Sequence, residues 1–401
     1  MGEGVLRRAV WLPALAAAVC GWGAPPDFEC HTRRAALREA VGGGVIVLAG
    51  GDETSKDIES ARTPFFQEPN FYYLTGWKQP GARLLIDGHR EILFLPAHRP
   101  DREKWTGPEF SAGDPGVEAA SGFEMVLPMD QFESSVRAAG TPIENGILEK
   151  ALARLRMTKS ETELGLIQRS VDATVAAHLA AWKRAATGMY EYQIAAAMMA
   201  VYMDRGCERS AYAPIVASGP NALYLHYERN SRKIERGELL LMDVGAECAG
   251  YAADVTRTIP IDGKFTARQR EIYEIVLGAQ KAVIAAAKPG MTIGRTTPDS
   301  LYQIAFEYIN SHGHDLHGGP LGKYLTHGIS HHIGLEVHDA ADARAPLAEG
   351  MVISVEPGIY IPEEQIGIRI EDMIEVTRTG GRLLTTGLPR ETAEIEKILA
   401  K

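Results

Sequence analysis

The chain has 401 residues, a formal net charge of −10 and four cysteines. That length exceeds what a single hydrophobic core usually fills, so two domains are expected. The acidic balance, with no basic stripe and no Lys/Arg patch interleaved with aromatics, argues against a nucleic-acid partner. Cys20, Cys30, Cys207 and Cys248 have no C-x-x-C spacing, which argues against a cysteine zinc site; in an oxidising compartment they could pair, but the spacing names no pair.

Taken in chain order, the first 25 residues do not read as folded domain. Arg7 and Arg8 precede eleven apolar or small residues, Ala9 to Val19, followed by Gly, Ala and Pro. This is the pattern of a signal peptide, too short for the ~20 residues of a membrane span, and it predicts an exported, periplasmic or extracellular protein. Without such a signal the protein would be cytoplasmic. Val19 is a poor fit to the small residue expected before a lipid-attached Cys20.

From 31 to 150, short apolar runs (GGVIVLAG, ARLLIDG, REILFLP, EMVLP) alternate with polar and helical stretches, which is α/β patterning. The aromatics Phe65, Phe66, Phe71, Tyr72 and Tyr73 read as core. A second domain, 155–401, opens on Ser160 and Glu163, a capping box starting a long helix that ends at Gly188. A helix over Tyr190 to Asp204 follows. Thr266 with Gln269 caps a third helix, and Thr297-Pro298 opens a fourth that runs to about Ser311.

Each helix pair brackets or precedes a strand pair carrying two acids. ELLLMDVGAE holds Asp243 and GYAADVTRTI holds Asp254; GMVISVEPGIYI holds Glu356 and IGIRIEDMIEV holds Glu371. An ionised carboxylate in an apolar strand costs several kcal/mol unless a positive group meets it. Arg369 is the one arginine of obvious reach, and it shares a strand face with Glu371 two residues on. A turn at Cys248–Ala249 would set Asp243 directly opposite Asp254, with Cβ atoms roughly 4.5–5.5 Å apart, where like charges repel. Turn signals at Pro362 to Gln365 set Glu356 and Glu371 on a second hairpin. The acids could instead be hydrogen-bonded to neighbouring backbone, but that explanation must be invoked four times. Metal ions answer all four at once.

Histidine completes the set. HGISHHIGLEVHD contains His327, His331, His332 and His338, four of the twelve histidines within twelve residues, and His226 lies in SGPNALYLHYERN. A site of one imidazole and four carboxylates is hard and oxygen-rich. That favours Mn, with Co, Fe or Zn as alternatives. His332 points away from His331 on extended backbone and is expected to pack rather than ligate.

MDVGAECAGYAADVTRT, HGISHHIGLEVHD, ISVEPGIY and IGIRIEDM together resemble the metal-site segments of the pita-bread-fold metallopeptidases, most closely the Xaa-Pro aminopeptidases (aminopeptidase P). FFQEPNFYYLTGW and REKWTGPEF resemble their amino-terminal domain, so the likeness covers nearly the whole chain after about residue 30. The resemblance implies an α/β (α+β) protein with a smaller amino-terminal domain and a pita-bread catalytic domain. It implies two divalent ions held by Asp243, Asp254, His331, Glu356 and Glu371, with Asp254 and Glu371 bridging. It makes His226, His327 and His338 substrate contacts, places Arg369 beside the bridging glutamate, and lets Trp105 reach a neighbouring subunit in a homo-oligomer, a dimer or tetramer.

Two such ions, roughly 3.5–4 Å apart, acidify a shared water and polarise a carbonyl. Glu356 is then the candidate general base, His338 and His226 stabilise the developing oxyanion or departing amide, and His327 shapes the proline pocket. The expected activity is removal of the first residue from peptides with proline second. A prolidase, cutting Xaa-Pro dipeptides, shares the same metal residues. A peptide-binding module without hydrolysis typically lacks ligands that are all present here, and the same completeness argues against metal-free creatinase-like chemistry. The additional amino-terminal domain argues against methionine aminopeptidase.

Overall fold

The computed structural model describes residues 29–52, 65–88, 90–342 and 344–400. The expected signal peptide, with Cys20, lies outside them. The chain divides into two compact units, one up to Ala151 and the other from Leu152. Among the described residues no helix is long and apolar enough to cross a membrane.

The first unit is built on a four-stranded sheet: β1 (Val45–Ala49), β2 (Arg83–Asp87), β3 (Arg90–Leu95) and β4 (Met125–Pro128), in that spatial order. The first two pairings are antiparallel and β3–β4 is parallel. Leu84, Leu85, Ile86, Ile92, Leu93 and Phe94 are wholly buried, so the middle strands are covered on both faces, as their unbroken apolar runs demand. Phe71, Tyr72 and Tyr73 are buried in the helix Pro69–Thr75. Trp105 is 82% exposed.

In the second unit the helix Glu161–Arg184 starts at the expected capping box, Ser160 with Glu163. Glu191–Asp204 follows, and Ala267–Ala286 starts at a second capping box, Thr266 with Gln269. The fourth helix, Leu301–Ser311, begins later than Thr297-Pro298 suggests. Ser300 accepts the Gln303 N–H at 3.2 Å and is its N-cap. Asp299, at φ +55°, keeps Pro298 in the preceding turn because the left-handed region cannot continue a helix.

Two long hairpins carry the acids. The first pairs β7 (Leu239–Val244) with β10 (Val255–Pro260), and further out β8 (Ala246–Cys248) with β9 (Tyr251–Ala252). The register is Asp243↔Thr256 and Cys248↔Tyr251. The turn is therefore Ala249–Gly250, not Cys248–Ala249, with φ of +54° and +84°. Two-residue hairpin turns need positive φ at both central residues, and glycine supplies one at no steric cost. Asp254 is thus the diagonal neighbour of Asp243 on the same face rather than its direct opposite. Between the two strand pairs the chain pinches: a Cβ on Gly245 would lie 1.7 Å from the Ala253 carbonyl oxygen. Only glycine permits that approach.

The second hairpin pairs β11 (Val352–Val355) with β14 (Asp372–Thr377), and β12 (Gly358–Ile361) with β13 (Ile366–Arg369). Its register runs continuously from Val355↔Asp372 to Gly358↔Arg369, so Glu356 and Glu371 stand across from each other at the break. Glu371 N–H donates to the Thr256 carbonyl of β10 at 3.0 Å, joining the two hairpins where the acids sit. β6 (Ile215–Ser218) pairs with β7, and the short β5 (Arg209–Ser210) with β8.

Cys207 and Cys248 form a disulfide across 41 residues, with Cα atoms 4.2 Å apart. Cys30 is free and buried. Cys248, for which the spacing names no partner, thus ties the chain just after the helix Glu191–Asp204 to the first hairpin. Closing a loop of that length is worth about 2–4 kcal/mol. Cys207→Ser should lower the free energy of unfolding in urea by that amount, with no change in free thiols beyond the newly released Cys248.

Candidate metal centre

The two hairpin breaks converge on one cavity of about 330 Å³, lined by Asp243, Asp254, His331, Glu356 and Glu371 together with His226, His327, His338 and Arg369. All nine residues expected in the site are therefore brought together. Asp243 is the next-to-last residue of β7, Asp254 leads into β10, and Glu356 and Glu371 occupy the two sides of the second break. Ionisable side chains can converge there because the ladder is interrupted at both points. His331 comes from the segment after residue 325, whose backbone is pinned to β11: His331 N–H donates to Ser354 Oγ at 3.0 Å, and Ser354 N–H to the His331 carbonyl at 2.9 Å.

His331 Nε2 lies 3.4 Å from both Asp254 Oδ2 and Glu356 Oε1. One donor atom each from Asp254, His331 and Glu371 falls within 4.8 Å of the others. Thr256 Oγ1 donates to Glu371 Oε2 at 2.8 Å, but Glu371 Oε1 is buried without a hydrogen-bond partner among the described residues. A buried carboxylate oxygen left unsatisfied is costly, and a cation is the partner this one lacks. The donor set, all oxygen and imidazole nitrogen, suits hard or borderline divalent ions.

The electrostatics agree. Burial, then the charges of Asp243 and Glu356, push Asp254 well above the usual carboxylate range. Burial, then Asp254 and Glu356, do the same to Glu371. Burial also raises Glu356. Asp243 differs: burial works against its ionisation, but the Arg369 guanidinium outweighs it and holds the acid low. Arg369 Nη2 donates to Asp243 Oδ2, while its link to Glu371 runs through the Thr256 hydroxyl. Its direct partner is thus Asp243, not the glutamate two residues on, because the first hairpin folds over the second.

His327 is held neutral, with a pKa lowered to about 4 by burial and then by Arg369. Its Nδ1–H donates to the Gly328 carbonyl at 2.6 Å, leaving Nε2 to accept from the Tyr360 hydroxyl at 2.8 Å. Both nitrogens are engaged, so the ring face is what it offers a bound molecule. His338 meets His331 edge-on with centroids 4.2 Å apart, and burial, then His331, lowers its pKa. His332 is buried and is not among the residues lining the cavity, in keeping with a packing role.

Two tyrosines escaped the sequence reading. Tyr212 donates to Asp243 Oδ1 at 2.5 Å and also reaches Asp254 Oδ1, tying the two acids of the first hairpin together. It lies in the connection between β5 and β6, and no spacing links it to either acid. Tyr360 accepts from Arg369 Nη1 at 2.8 Å. Its signal was present in the sequence, since 356, 358 and 360 share one strand face.

A two-hairpin fold converging four carboxylates and an imidazole on one cavity defines a metallohydrolase. The chain belongs to metallopeptidase family M24, whose family model matches residues 165–378. Residues 30–145 match the model for the aminopeptidase P N-terminal domain. The chain is similar to Xaa-Pro aminopeptidase of Haemophilus influenzae, 34% identical over 93% of this chain and 97% of that protein. It is also similar to Xaa-Pro aminopeptidase of Escherichia coli, 30% identical over 92% and 97%. Among solved structures, proline aminopeptidase P II from Yersinia pestis superposes with a TM-score of 0.79 at 27% identity, covering 93% of this chain and 99% of that one. Aminopeptidase P from E. coli with the inhibitor Pro-Leu gives 0.79 at 26% identity, covering 92% and 98%.

Proposed function

We propose that this protein is an Xaa-Pro aminopeptidase that removes the first residue from peptides with proline in second position. The observation that carries the reading is the meeting of Asp243, Asp254, His331, Glu356 and Glu371 in one cavity, in a chain matched by the aminopeptidase P N-terminal domain. That domain match favours the aminopeptidase over a prolidase.

Asp243, Asp254, His331, Glu356 and Glu371 would hold two divalent ions, most favourably Mn; a zinc-substituted E. coli aminopeptidase P among the similar structures keeps zinc in view. Bound divalent ions supply Lewis acidity and a water acidified toward neutrality. The chain does the rest. Glu356, with Ser354 Oγ donating to its Oε1 at 3.2 Å, takes the proton from the attacking water. His338 and His226, both at the exposed side of the cavity, hydrogen-bond the scissile carbonyl oxygen or the departing nitrogen. The substrate's amino terminus sits near Asp243, which accounts for exopeptidase action. The His327 ring faces the proline, held upright by Tyr360.

Two observations favour export: the composition of residues 1–25, and the Cys207–Cys248 disulfide, which an oxidising compartment would sustain. The exposure of Trp105 fits burial against a neighbouring subunit in a homo-oligomer, which light scattering would report as a dimer or tetramer.

The test is metal-dependent cleavage before proline. After stripping with chelator, Mn²⁺ should restore release of the first residue from Xaa-Pro-Yaa at least a hundredfold over the stripped protein. Hydrolysis of the Xaa-Pro dipeptide alone would move the assignment to prolidase. No cleavage of either with any divalent ion would leave a peptide-binding module.

A further inference from the structure

Outside the lining of the cavity lies a second set of charges that the chemistry above does not use. Asp339 directly follows His338, and its side chain is only 1% exposed. Its Oδ1 accepts from Arg156 Nη2 at 2.5 Å, and its Oδ2 from Lys159 Nζ at 3.1 Å. Both cations are buried as deeply as the acid, and Arg156 is shared with the half-exposed Glu336 at 2.8 Å. Such a cluster is a poor device for stability, since apolar groups of similar volume commonly do as well. What it provides is geometry.

Asp339 grips the turn that carries His338 from three directions. Its Oδ1 also accepts the Glu336 N–H at 3.3 Å, bridging the ends of the four-residue turn 336–339. Its own N–H donates to the His332 carbonyl at 2.9 Å, closing the segment on itself one residue from His331. Gly334 leaves room for the carboxylate: a Cβ there would lie 2.3 Å from Asp339 Oδ2. His331 has its own anchors on Ser354. His338 makes no hydrogen bond among the described residues, and its ring meets that of His331 edge-on. The place of its imidazole therefore depends on the backbone at Asp339.

The geometry points to Asp339, clamped by Arg156 and Lys159, as a positioning residue that sets His338 over the reacting peptide. This rests on the aminopeptidase reading. It separates two jobs within one segment: the Ser354 bonds hold the candidate metal ligand, and the Asp339 clamp holds the substrate-facing histidine. Loss of the clamp should slow the chemical step without releasing metal.

The experiment uses the full chain loaded with Mn²⁺. Asp339→Asn should lower kcat on Xaa-Pro-Yaa at least thirtyfold, with KM within threefold and metal per chain unchanged by atomic emission. Gly334→Ala, which leaves every charge in place and crowds the carboxylate, should reproduce the loss; it decides the matter if Asp339→Asn fails to fold. In a His338→Ala background Asp339→Asn should cost less than threefold further, because residues acting through one group are not additive. A direct readout comes from the zinc-loaded, diamagnetic protein. There the His338 imidazole resonance, assigned by its absence in His338→Ala, should be single in the wild type and broadened or split in Asp339→Asn and Gly334→Ala. Full additivity with His338→Ala, loss of metal, or an unaltered His338 resonance overturns the inference. Failure of the wild type to cleave Xaa-Pro-Yaa would instead sink the aminopeptidase reading, and the resonance would still report whether the clamp positions the ring.

Discussion

Glu371→Ala should abolish turnover, with kcat on Xaa-Pro-Yaa down about a thousandfold or more, yet the metal-free variant should be at least as stable as the metal-free parent. The two halves of that expectation have one cause. Glu371 is buried beside Asp254 and Glu356, and one of its oxygens has no hydrogen-bond partner among the described residues. Without metal it is a liability, because its charge is both desolvated and repelled by its neighbours. With metal bound it would be one of the carboxylates holding it, and removing an electrostatic element aimed at the reacting centre commonly costs a factor of a hundred to a thousand for a single donor. Losing a ligand, and with it metal, should exceed that. Metal per chain, kcat and Tm measured on one preparation of each protein check the expectation. A variant that keeps full metal and loses less than tenfold in kcat would remove Glu371 from the centre.

The second large effect is the pH dependence of the metal-free protein. Asp254, Glu371 and Glu356 all have folded pKa values raised above the ordinary carboxylate range, primarily by burial. Between the unfolded values, about 4, and the raised folded ones, the folded state binds more protons than the unfolded. Stability therefore falls as pH rises through that window. The stabilising contribution is complete below pH ~4 and is lost as the folded groups ionise. Asp243 runs the other way, since Arg369 holds its folded value low, and so do His178, His327, His332 and His338, whose folded values burial lowers, so the carboxylate contribution is read as a difference between the parent and Glu371→Gln. The stripped parent should thus lose stability relative to stripped Glu371→Gln as pH rises from 5.5 to 8. Metal reverses the trend, because ions bind the ionised ligands. At a hundred times Kd one site adds about 2.7 kcal/mol, roughly 5–11 °C for a unit of this size, and more at pH 8 than at pH 5.5. A Tm gap between stripped parent and stripped Glu371→Gln that does not shift in the variant's favour from pH 5.5 to 8 would show that the carboxylates are not crowded as described.

How much of this centre the sequence disclosed depends on how local each feature is. Helix starts at Ser160 and Thr266 were legible because a capping box is a contact between residues three apart. The second hairpin was legible in register as well as in place, since its turn signals at Pro362 to Gln365 sit midway between Glu356 and Glu371. The first was misjudged by one residue on each side. Cys248–Ala249 and Ala249–Gly250 differ only in which pair takes positive φ, and the glycine should have decided it. The fourth helix start was missed for a similar reason: Pro298 fits a first helical turn, but Asp299 in the left-handed region places it outside.

The sequence by itself determined the chemistry: four carboxylates and a histidine-rich segment set in apolar strands, where only cations could reconcile charge with burial. It also determined that the acids come in two hairpins, because strand period and turn residues are properties of neighbouring positions. Only the tertiary structure decided which groups meet across the chain. Arg369 pairs with Asp243, 126 residues away; Tyr212 joins Asp243 to Asp254; Cys207 reaches Cys248; and Arg156 and Lys159 close on Asp339, more than 180 residues on for Arg156. None of these leaves a mark in local periodicity. Each is fixed by how the hairpins and the long helices pack, and packing is a property of the whole fold.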